Sequence, residues 1–392
     1  MSSWRECKLG DVAARMTSGG TPSTSKSEYY DGNIPWLNTK EIKNCRIFQT
    51  EKAITELGLQ NSSAKWIDEN SVIVAMYGAT AGKVAINKIP LSTNQACCNI
   101  TLNTTQADYN FIYYLLLNSF DRLDNMTSGA AQQNLNVGLI SNFDIALPPL
   151  EEQKAIAEVL SSLDDKIDLL HRQNQTLESL AQTFFRQWFI EEAKEEWEVV
   201  TLSDLGKVVT GKTPSTSNED FWGEDVLFIT PTDFKNYNKY AFYSDRKLST
   251  IGKDKVKNCV LPKNSILVTC IGSDMGKVVI TKNECVTNQQ INSLVLSNDN
   301  LLNEYVFQYL KSIYPLLRAI ALGGTTMPII NKTDFENIEI LLPTDEVLEK
   351  FQSITLSSNQ KIIENTKQIQ TLENLRDTLL PKLLSGEVRV EI

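Results

Sequence analysis

Two glycine–lysine turns are the first residues in this chain that could do chemistry. Gly78-Ala-Thr-Ala-Gly82-Lys83 and Gly272-Ser-Asp-Met-Gly276-Lys277 look like phosphate-binding loops. The P-loop of nucleotide hydrolases has one more residue between its glycines and a serine or threonine after its lysine, whereas Val84 and Val278 follow here. The spacing therefore argues against nucleotide hydrolysis. Two interpretations stay open: a plain glycine turn between strands, or a turn whose amides and lysine contact a DNA phosphate.

Loops rich in hydroxyl and amide side chains are the second set of candidates. Thr21-Pro-Ser-Thr-Ser-Lys26 and Thr213-Pro-Ser-Thr-Ser217 suit phosphate oxygens or base edges, and the amides of Asn94-Gln95 suit adenine. Loops and amides that satisfy only their own backbone are an equally good interpretation. The residues predicted to contact DNA are Thr21, Ser23, Ser25, Lys26, Lys83, Asn94, Gln95, Gln132, Gln133, Asn134, Lys212, Thr213, Ser215, Thr216, Lys277, Asn288, Gln289, Gln290, Thr325 and Lys332.

The residue types that most catalysis needs are scarce. The one histidine, His171, falls in a predicted helix, which argues against a histidine-based triad or metal centre. Asp31 with Glu41-Ile-Lys43 fits a nuclease spacing only loosely, and the second half of the chain has Trp222 in place of the first acid. Motifs for amino methylation and for a glycine-rich cofactor loop are missing from the sequence. We therefore predict no catalytic residue, no metal site and no cofactor in this chain.

Composition indicates the compartment and the class of partner. Seven cysteines without a CxxC pair indicate reduced thiols rather than disulfides or zinc ligands. Apolar runs stay below the ~20 residues of a membrane span, and the first residues lack signal-peptide features, so we predict a cytoplasmic protein. The net charge of −10 is unusual for a DNA-binding protein. Most of the acidic excess falls in two predicted helices, so the intervening segments are nearly neutral and each could carry a basic face.

The chain contains the same unit twice. Gly19-Gly-Thr-Pro-Ser23 matches Gly211-Lys-Thr-Pro-Ser215, and Thr93-Asn94-Gln95 matches Thr287-Asn288-Gln289. Offsets between matching positions stay between 191 and 195 residues. Each half has a β-branched run before its glycine–lysine turn, which predicts a buried strand. Each half is therefore typical of an α/β domain, and we expect the two to share a frame while differing in surface side chains.

A long helix is predicted after each half. Apolar positions alternate at spacings of four and three residues, as in a coiled-coil seam, and Asn174 and Asn365 each place a register-fixing polar group in it. If the helices pair antiparallel, the chain acquires an approximate internal two-fold axis, for which duplex DNA is the obvious ligand. Two amphipathic helices packed on ordinary domains is the simpler alternative. The residues predicted to pair the helices are Ile156, Leu160, Leu163, Ile167, Leu170, Asn174, Leu177, Ile362, Asn365, Ile369, Leu372 and Leu379.

Taken together, these motifs resemble the specificity subunit of type I restriction-modification systems. The resemblance includes Gly19-Gly-Thr-Pro-Ser, Tyr30-Asp-Gly32-Asn-Ile-Pro-Trp36, Leu147-Pro-Pro-Leu-Glu-Glu-Gln153 and Leu379-Leu-Pro-Lys-Leu-Leu-Ser-Gly386. It implies a non-catalytic subunit whose two target-recognition domains each bind one half of a bipartite sequence in double-stranded DNA. It also implies docking of two methyltransferase subunits, which bind S-adenosylmethionine, and of restriction subunits through them.

We predict an α/β architecture with two similar domains separated by two long helices in an antiparallel coiled coil. The first target-recognition domain is predicted at 1–149 and the second at 196–344. The first spacer helix is predicted at 150–195, and the second, with the C-terminal tail, at 345–392. Two other functions stay open: a DNA-targeting subunit of a solitary modification system, and a coiled-coil scaffold with protein-binding heads. Salt-dependent DNA binding would distinguish the scaffold, which should show none.

Overall fold

The computed structural model describes residues 4–128, 134–272, 275–317 and 329–391. Contacts within the chain group it into two compact units, one made of 1–168 with 370–392 and the other of 169–369. Each unit therefore contains one globular domain and part of both long helices. We call residues 4–147 the first head and residues 197–342 the second head.

Ten strands are described in the first head, in three sheets. They are β1 (Arg5–Lys8), β2 (Ala13–Ser18), β3 (Tyr30–Leu37), β4 (Cys45–Ile47), β5 (Lys52–Ile54), β6 (Val72–Ala75), β7 (Val84–Asn87), β8 (Ser92–Thr93), β9 (Cys97–Leu102) and β10 (Asp144–Leu147). The largest sheet has the order β2-β9-β6-β7-β4, the second has the order β5-β3-β8, and β1 pairs with β10. The edge strand β4 runs parallel to β7, while β6 is antiparallel to both of its neighbours.

The central strand β6 is buried on both faces because its side chains enter two different cores. Val72 and Val74 pack in one cluster with Phe111, whereas Ile73 lies in another cluster with Leu37. A strand covered on both faces needs no polar alternation. This is why the continuous run Val-Ile-Val-Ala, closed by glycine, already predicts a buried strand in the sequence.

The second head repeats this arrangement with one further strand, at the end of its second sheet. Its described strands are β11 (Glu198–Thr201), β12 (Gly206–Thr210), β13 (Trp222–Ile229), β14 (Tyr240–Ala241), β15 (Arg246–Leu248), β16 (Val260–Leu261), β17 (Ile266–Thr269), β18 (Val278–Thr281), β19 (Cys285–Thr287), β20 (Ile291–Leu296) and β21 (Glu339–Leu342). The largest sheet has the order β12-β20-β17-β18-β14, the second has the order β15-β13-β19-β16, and β11 pairs with β21. The edge strand β14 is again parallel to its neighbour, β18.

Short helices cover the sheets, and two long helices follow the heads. Polar side chains cap several helix N-termini, as where Asp108 Oδ1 accepts a hydrogen bond of 2.9 Å from the amide of Phe111. The helices are α1 (Glu56–Gln60), α2 (Tyr109–Asn118), α3 (Phe120–Ser128), α4 (Val137–Ser141), α5 (Leu150–Arg186), α6 (Leu202–Leu205), α7 (Thr250–Lys255), α8 (Asp299–Ser312), α9 (Lys332–Glu336) and α10 (Asp345–Leu384).

The long helices α5 and α10 run antiparallel within each unit. In the first unit the start of α5 at Ile156 packs in one core with Leu380, near the end of α10. In the second unit Asn365 Nδ2 donates to Asn174 Oδ1 at 2.9 Å, and the ring of Phe185 lies 6.4 Å from that of Phe351. The α/β fold with two similar heads and two antiparallel long helices is thereby confirmed.

The residues predicted to pair the helices are buried to different depths. Asn174 and Asn365 are fully buried. The buried members are Ile156, Leu160, Ile167, Leu170, Asn174, Ile362, Asn365 and Ile369, and the half-buried ones are Leu163, Leu177, Leu372 and Leu379. Near the end of α10, Leu380 is buried instead of Leu379.

The seam of α5 changes phase at its end. Continuing the alternation past Ala181 predicts Phe184 and Trp188 as buried, but the structure buries Phe185 and Phe189. A π-helical turn over Gln187–Glu191, in which the amide of Glu192 donates to the carbonyl of Gln187, follows the helix. The last buried side chains, Ala181, Phe185 and Phe189, therefore lie four residues apart.

The described part of the chain holds no helix long and apolar enough to cross a membrane. All seven cysteines lie in described segments, and none of them forms a disulfide. Burial raises the pKa of the Cys97, Cys98, Cys270 and Cys285 thiols to about 12.

Candidate nucleic-acid interface

Several predicted motifs of the first head converge where β6 ends. The amide of Met76, the residue after β6, donates to the carbonyl of Ala96 in the Thr-Asn-Gln turn at 2.8 Å. The carbonyl of Met76 accepts from the amide of Leu135 at 3.0 Å, which brings Asn134 to the same place. The glycine–lysine turn follows two residues later. We call this end of the sheet, formed by residues 19–26, 76–83, 93–96 and 134–135, the polar edge of the first head.

The second head builds the same edge with the same bonds. The amide of Cys270 donates to the carbonyl of Gln290 at 2.8 Å, and its carbonyl accepts from the amide of Ile330 at 2.9 Å. The corresponding residues 211–217, 270–272, 275–277, 287–290 and 329–330 form the polar edge of the second head. Motifs separated by about 120 residues in each half are therefore neighbours in space.

A threonine–glutamine hydrogen bond joins two of the motifs in each head. Thr21 Oγ1 donates to Gln95 Oε1, and Thr213 Oγ1 donates to Gln289 Oε1 at 2.8 Å in the second head. Gln95 and Gln289 are exposed. Because the threonine occupies the amide oxygen, each glutamine presents its NH2 group to solvent as a hydrogen-bond donor.

The asparagines of the same turns bond the protein's own backbone. Asn94 is buried, and its Oδ1 accepts from the amide of Ala96 at 3.2 Å. Asn288 Oδ1 likewise accepts from the amide of Gln290 at 3.1 Å, while Asn288 Nδ2 donates to the side chain of Gln290. The interpretation that these amides satisfy the backbone therefore describes Asn94 and Asn288, and the exposed glutamines are the better candidates for DNA contact.

The predicted lysines differ in their surroundings. Lys26 Nζ donates to the hydroxyl of Tyr29 at 3.0 Å, a bond that raises the pKa of Lys26. Lys332 forms an ion pair with Glu336 at 3.3 Å on the surface of α9. Lys83 and Lys277 are half-buried at the start of β7 and β18, and Lys212 is exposed. Of these, Lys26, Lys83, Lys212 and Lys277 belong to the polar edges, and Lys332 lies outside them.

The remaining predicted residues are hydroxyls and loop amides. The Ser23 and Ser25 hydroxyls lie 2.9 Å apart, and those of Ser215 and Ser217 lie 2.8 Å apart, so the two loops have the same internal bond. Thr216 and Asn134 are exposed. The predicted contacts Gln132, Gln133 and Thr325 lie outside the described residues.

Glycine is required in the turn that carries each lysine. Gly78 and Gly82 have φ of +88° and +78°, and Gly272 and Gly276 have φ of +90° and +88°. A side chain at these angles is strained, because its Cβ approaches the backbone too closely. The loop at Gly20 is also closely packed, since a Cβ there would lie 2.2 Å from the amide nitrogen of Ala64. Glycine is therefore the residue that fits these positions best.

Comparison with known proteins assigns the chain to a family. A model of the type I restriction modification DNA specificity domain matches the chain twice, at residues 1–179 and 194–374. The chain belongs to the type I restriction-modification specificity family. It is 30% identical to the type I restriction enzyme MjaIX specificity subunit of Methanocaldococcus jannaschii, over 99% of this chain and 94% of that one. It is 26% identical to the HindI specificity subunit of Haemophilus influenzae, over 99% and 100%.

A solved structure supports the fold. The S subunit of a type I restriction-modification system from M. genitalium aligns over 99% of this chain and 96% of its own, with a TM-score of 0.59 at 16% identity. As a member of the specificity family, the chain is a subunit that recognises DNA targets. The repeat, the fold and this role are the predictions that the comparisons confirm.

Sequence reasoning missed how each head of this specificity-family chain is fixed to its helices. In the first head the guanidinium of Arg46, on β4, is 6% exposed and pairs with Asp165 and Asp168 of α5. It also donates to the carbonyl of Ser161 at 3.3 Å. Burial opposes the charge, but Tyr114 and the nearby aspartates more than compensate, so the pKa of Arg46 is raised. The guanidinium therefore stays charged beneath the helix.

A neighbouring bond set links the same part of α5 to α10 within the first unit. Asp164 Oδ2 accepts from the hydroxyl of Tyr114 at 2.6 Å, and its Oδ1 accepts from Arg376 at 2.9 Å. Asp164 thus bonds one residue of the head and one residue of the other long helix. We call Arg46 with Asp165 and Asp168 the first clamp.

The second head is fixed by different chemistry at the same place. Lys239, which precedes β14, is fully buried and pairs with Glu304 of α8 at 2.5 Å. Lys239 Nζ also donates to Asn359 Oδ1 of α10 at 2.6 Å, and Asn359 Nδ2 donates to Glu304 at 2.8 Å. Burial raises the pKa of Glu304, but Lys239 and the amides of Gln308 and Asn359 outweigh it, so the pKa is lowered. We call Lys239, Glu304 and Asn359 the second clamp.

Proposed function

We propose that this chain selects a bipartite DNA target, with each head binding one half through its polar edge. The observation that carries the proposal is the recurrence of the edge. The same threonine–glutamine bond, the same positive-φ glycine pair and a lysine stand at the end of the same strand in both heads. A surface repeated on one frame suits a ligand that also repeats, as duplex DNA does.

On this proposal, residues that are the same in both heads have a different role from residues that differ at matching positions. Residues common to both heads, such as Gln95 and Gln289, cannot distinguish two unlike half-sites, so they position the DNA through its phosphates. Residues that differ at matching places supply the base contacts. In the first head the exposed Trp66 follows Ala64, which packs against Gly20, whereas Val260 stands at the matching position of the second head.

We further propose that the chain is not itself an enzyme and acts with two methyltransferase subunits, which supply S-adenosylmethionine chemistry, and with restriction subunits through them. Membership of the specificity family supports this proposal. We place the partner contacts on the exposed apolar side chains of the long helices. They are Leu169, Leu180, Ile354, Leu356 and Leu375.

Methylome sequencing tests the proposal. The chain is co-expressed with a type I methyltransferase subunit that co-purifies with it, and the genomic DNA of the host is sequenced for modified bases. We expect one bipartite motif with an unspecified spacer, lost when this chain is omitted. Replacing the first head with that of another specificity subunit should change one half of the motif. Modification without a bipartite motif, or a change in both halves, would contradict independent binding by the two heads.

A further inference from the structure

The two clamps differ in where their carboxylates come from. In the first clamp, the head supplies the cation and α5 supplies the acids, because Arg46 pairs with Asp165 and Asp168. In the second clamp, the head supplies both charges, because Lys239 pairs with Glu304, and α10 supplies only the amide of Asn359. Each long helix therefore supplies the polar groups that the buried cation of the preceding head needs: carboxylates for Arg46 and an amide for Lys239.

The sequences of the two helices follow this difference. Matching helix positions lie 195 residues apart, so Asp164, Asp165 and Asp168 of α5 correspond to Asn359, Gln360 and Ile363 of α10. The three carboxylates facing the first head thus have no acidic counterpart at the matching positions facing the second head. An arginine buried as deeply as Arg46 would meet no counterion on α10 at these positions.

We propose that the clamps form a matching code that makes each head specific for its own helix. Leaving one partner of a buried ion pair in place without the other is strongly destabilising, whereas an uncharged pair of similar shape is tolerated. A head moved to the other helix therefore needs the three matching helix residues to move with it. Arg46 and Lys239 are positioning residues, which hold the polar edge through the strands β4 and β14.

The strand pairing shows how the clamps reach the polar edges. Arg46 lies opposite Ile86 of β7, the strand that begins directly after Lys83. The carbonyl of Lys239 accepts from the amide of Ile280 in β18, which begins after Lys277. Each clamp therefore lies directly beside the strand that starts at the glycine–lysine turn, and a loosened clamp frees the orientation of that edge.

The decisive experiment uses full-length chains in which residues 4–147 replace residues 197–342, so that the first head precedes α10. One version keeps α10 unchanged, and a second carries Asn359→Asp, Gln360→Asp and Ile363→Asp. A third, matched for charge, carries Ser353→Asp, Ser357→Asp and Gln368→Asp at exposed positions of α10. We expect the second version to exceed the first and third in the midpoint of thermal unfolding by on the order of 10 °C. Equal midpoints would overturn the code.

A double-mutant cycle in the native chain tests the same pairing and does not depend on whether the chimeras fold. Asp165→Asn with Asp168→Asn removes both carboxylates that pair with the buried Arg46, so we expect a fall in the midpoint, limited by the nearby charge of Asp164. Adding Arg46→Leu should recover part of that fall. Strictly additive effects of the arginine and aspartate changes would refute the pairing.

The spacer lengths that the complex methylates distinguish a positioning role of the clamp from a role in stability alone. This measurement rests on the proposed function. In the complex with methyltransferase subunits, the chain with Asp165→Asn and Asp168→Asn should methylate additional spacer lengths while keeping both half-sites. A uniform fall in methylation at the native spacer, without new spacers, would reduce the clamp to a structural role. A parent chain that directs no sequence-specific methylation would refute the proposed function but leave the unfolding cycle intact.

Discussion

Glutamines 95 and 289 and the lysines after the glycine turns are the residues from which DNA contact is best argued. Both glutamines keep their oxygen on a threonine and show an NH2 group to solvent, so both can donate to phosphate oxygens. Asn94 Oδ1, by contrast, accepts a hydrogen bond from the backbone of its own turn. Only side-chain geometry separates these neighbouring amides, which is why the sequence suggests both equally.

Lys83→Gln tests the phosphate role. Removing one phosphate contact should weaken DNA binding about equally for target and unrelated sequences and reduce the slope of log affinity against log salt by about 1. Binding is measured by fluorescence anisotropy over a range of salt concentrations, with Lys154→Gln on α5 as the matched control, since Lys154 pairs with Glu151 far along the chain from the edge. A loss confined to the target sequence would instead make Lys83 a base-contacting residue.

Glu304→Gln tests the second clamp. It leaves Lys239 buried without a counterion, which should cost about 3–5 kcal/mol of unfolding free energy in the second unit. Hydrogen exchange of the Ile280 amide, which bonds the carbonyl of Lys239, is a local measurement of that change. Glu336→Gln, in the exposed pair with Lys332, should change the free energy by under about 1 kcal/mol.

The same variant has a pH signature. The folded pKa of Glu304 lies below its unfolded value of about 4.3, so the stabilisation by its carboxylate is complete above that pH and is lost as the pH falls through the folded value. The difference in stability between the parent and Glu304→Gln should therefore shrink below about pH 4. A difference that persists unchanged into acid would show that the carboxylate is not the stabilising group.

At the scale of elements, the glycine turns and the helix interface decide the geometry. Gly272 and Gly276 have nearly equal φ, but their surroundings differ: a Cβ at Gly276 would lie 2.6 Å from the ring of Tyr314, and a Cβ at Gly272 would meet nothing within 4 Å. Gly276 is therefore closely packed, whereas Gly272 has open space beside it.

Alanine at these two glycines separates backbone strain from packing. Each substitution should cost roughly 1–2 kcal/mol because of its positive φ, and Gly276→Ala should cost more because the ring must move. Urea unfolding of the full-length chain measures both. Equal costs would show that Tyr314 moves aside freely.

The buried asparagine pair lowers the stability of the helix interface. Asn365 donates once to Asn174, while Asn174 Nδ2 and Asn365 Oδ1 have no partner among the described residues although both side chains are buried. Replacing both with leucine should leave the unfolding free energy unchanged or raise it. Asn365→Leu alone should lower it by about 1–3 kcal/mol, because the side chain of Asn174 then loses the one hydrogen bond that it makes among the described residues. A double variant less stable than either single one would contradict this account.

Much at this scale is predictable from sequence, and the reason is local. The strands β6 and β17 are continuous β-branched runs closed by glycine, and the helix interface follows a regular apolar spacing. Arg46 and Lys239 could not be predicted, because their partners lie 119 and 65 residues away and depend on which strand forms the sheet edge. The burial of Phe185 and Phe189 could not be predicted either, since Phe184 and Trp188 are also apolar and continue the spacing before them.

At the scale of the whole molecule, the proposed function predicts that the length of the long helices sets the spacer between the two DNA half-sites. Inserting seven residues beside Asn174 and seven beside Asn365 keeps the paired faces aligned and adds ~10 Å of helix at ~1.5 Å per residue. Methylome sequencing should then show a spacer changed by roughly one to three base pairs, at ~3.4 Å each, with both half-sites retained. Altered half-site bases at an unchanged spacer would show that the helices do not set the distance.

The π turn at Gln187–Glu191 has a consequence for how the second head is joined to its helix. One extra residue in a helical turn advances the following chain by about 100° around the axis. Phe189, which lies in this turn, packs in the core that also contains Trp197, at the entrance of the second head. The junction therefore works as an angular coupling: deleting one residue from it would shorten the chain by very little yet turn everything downstream by more than a quarter of a revolution.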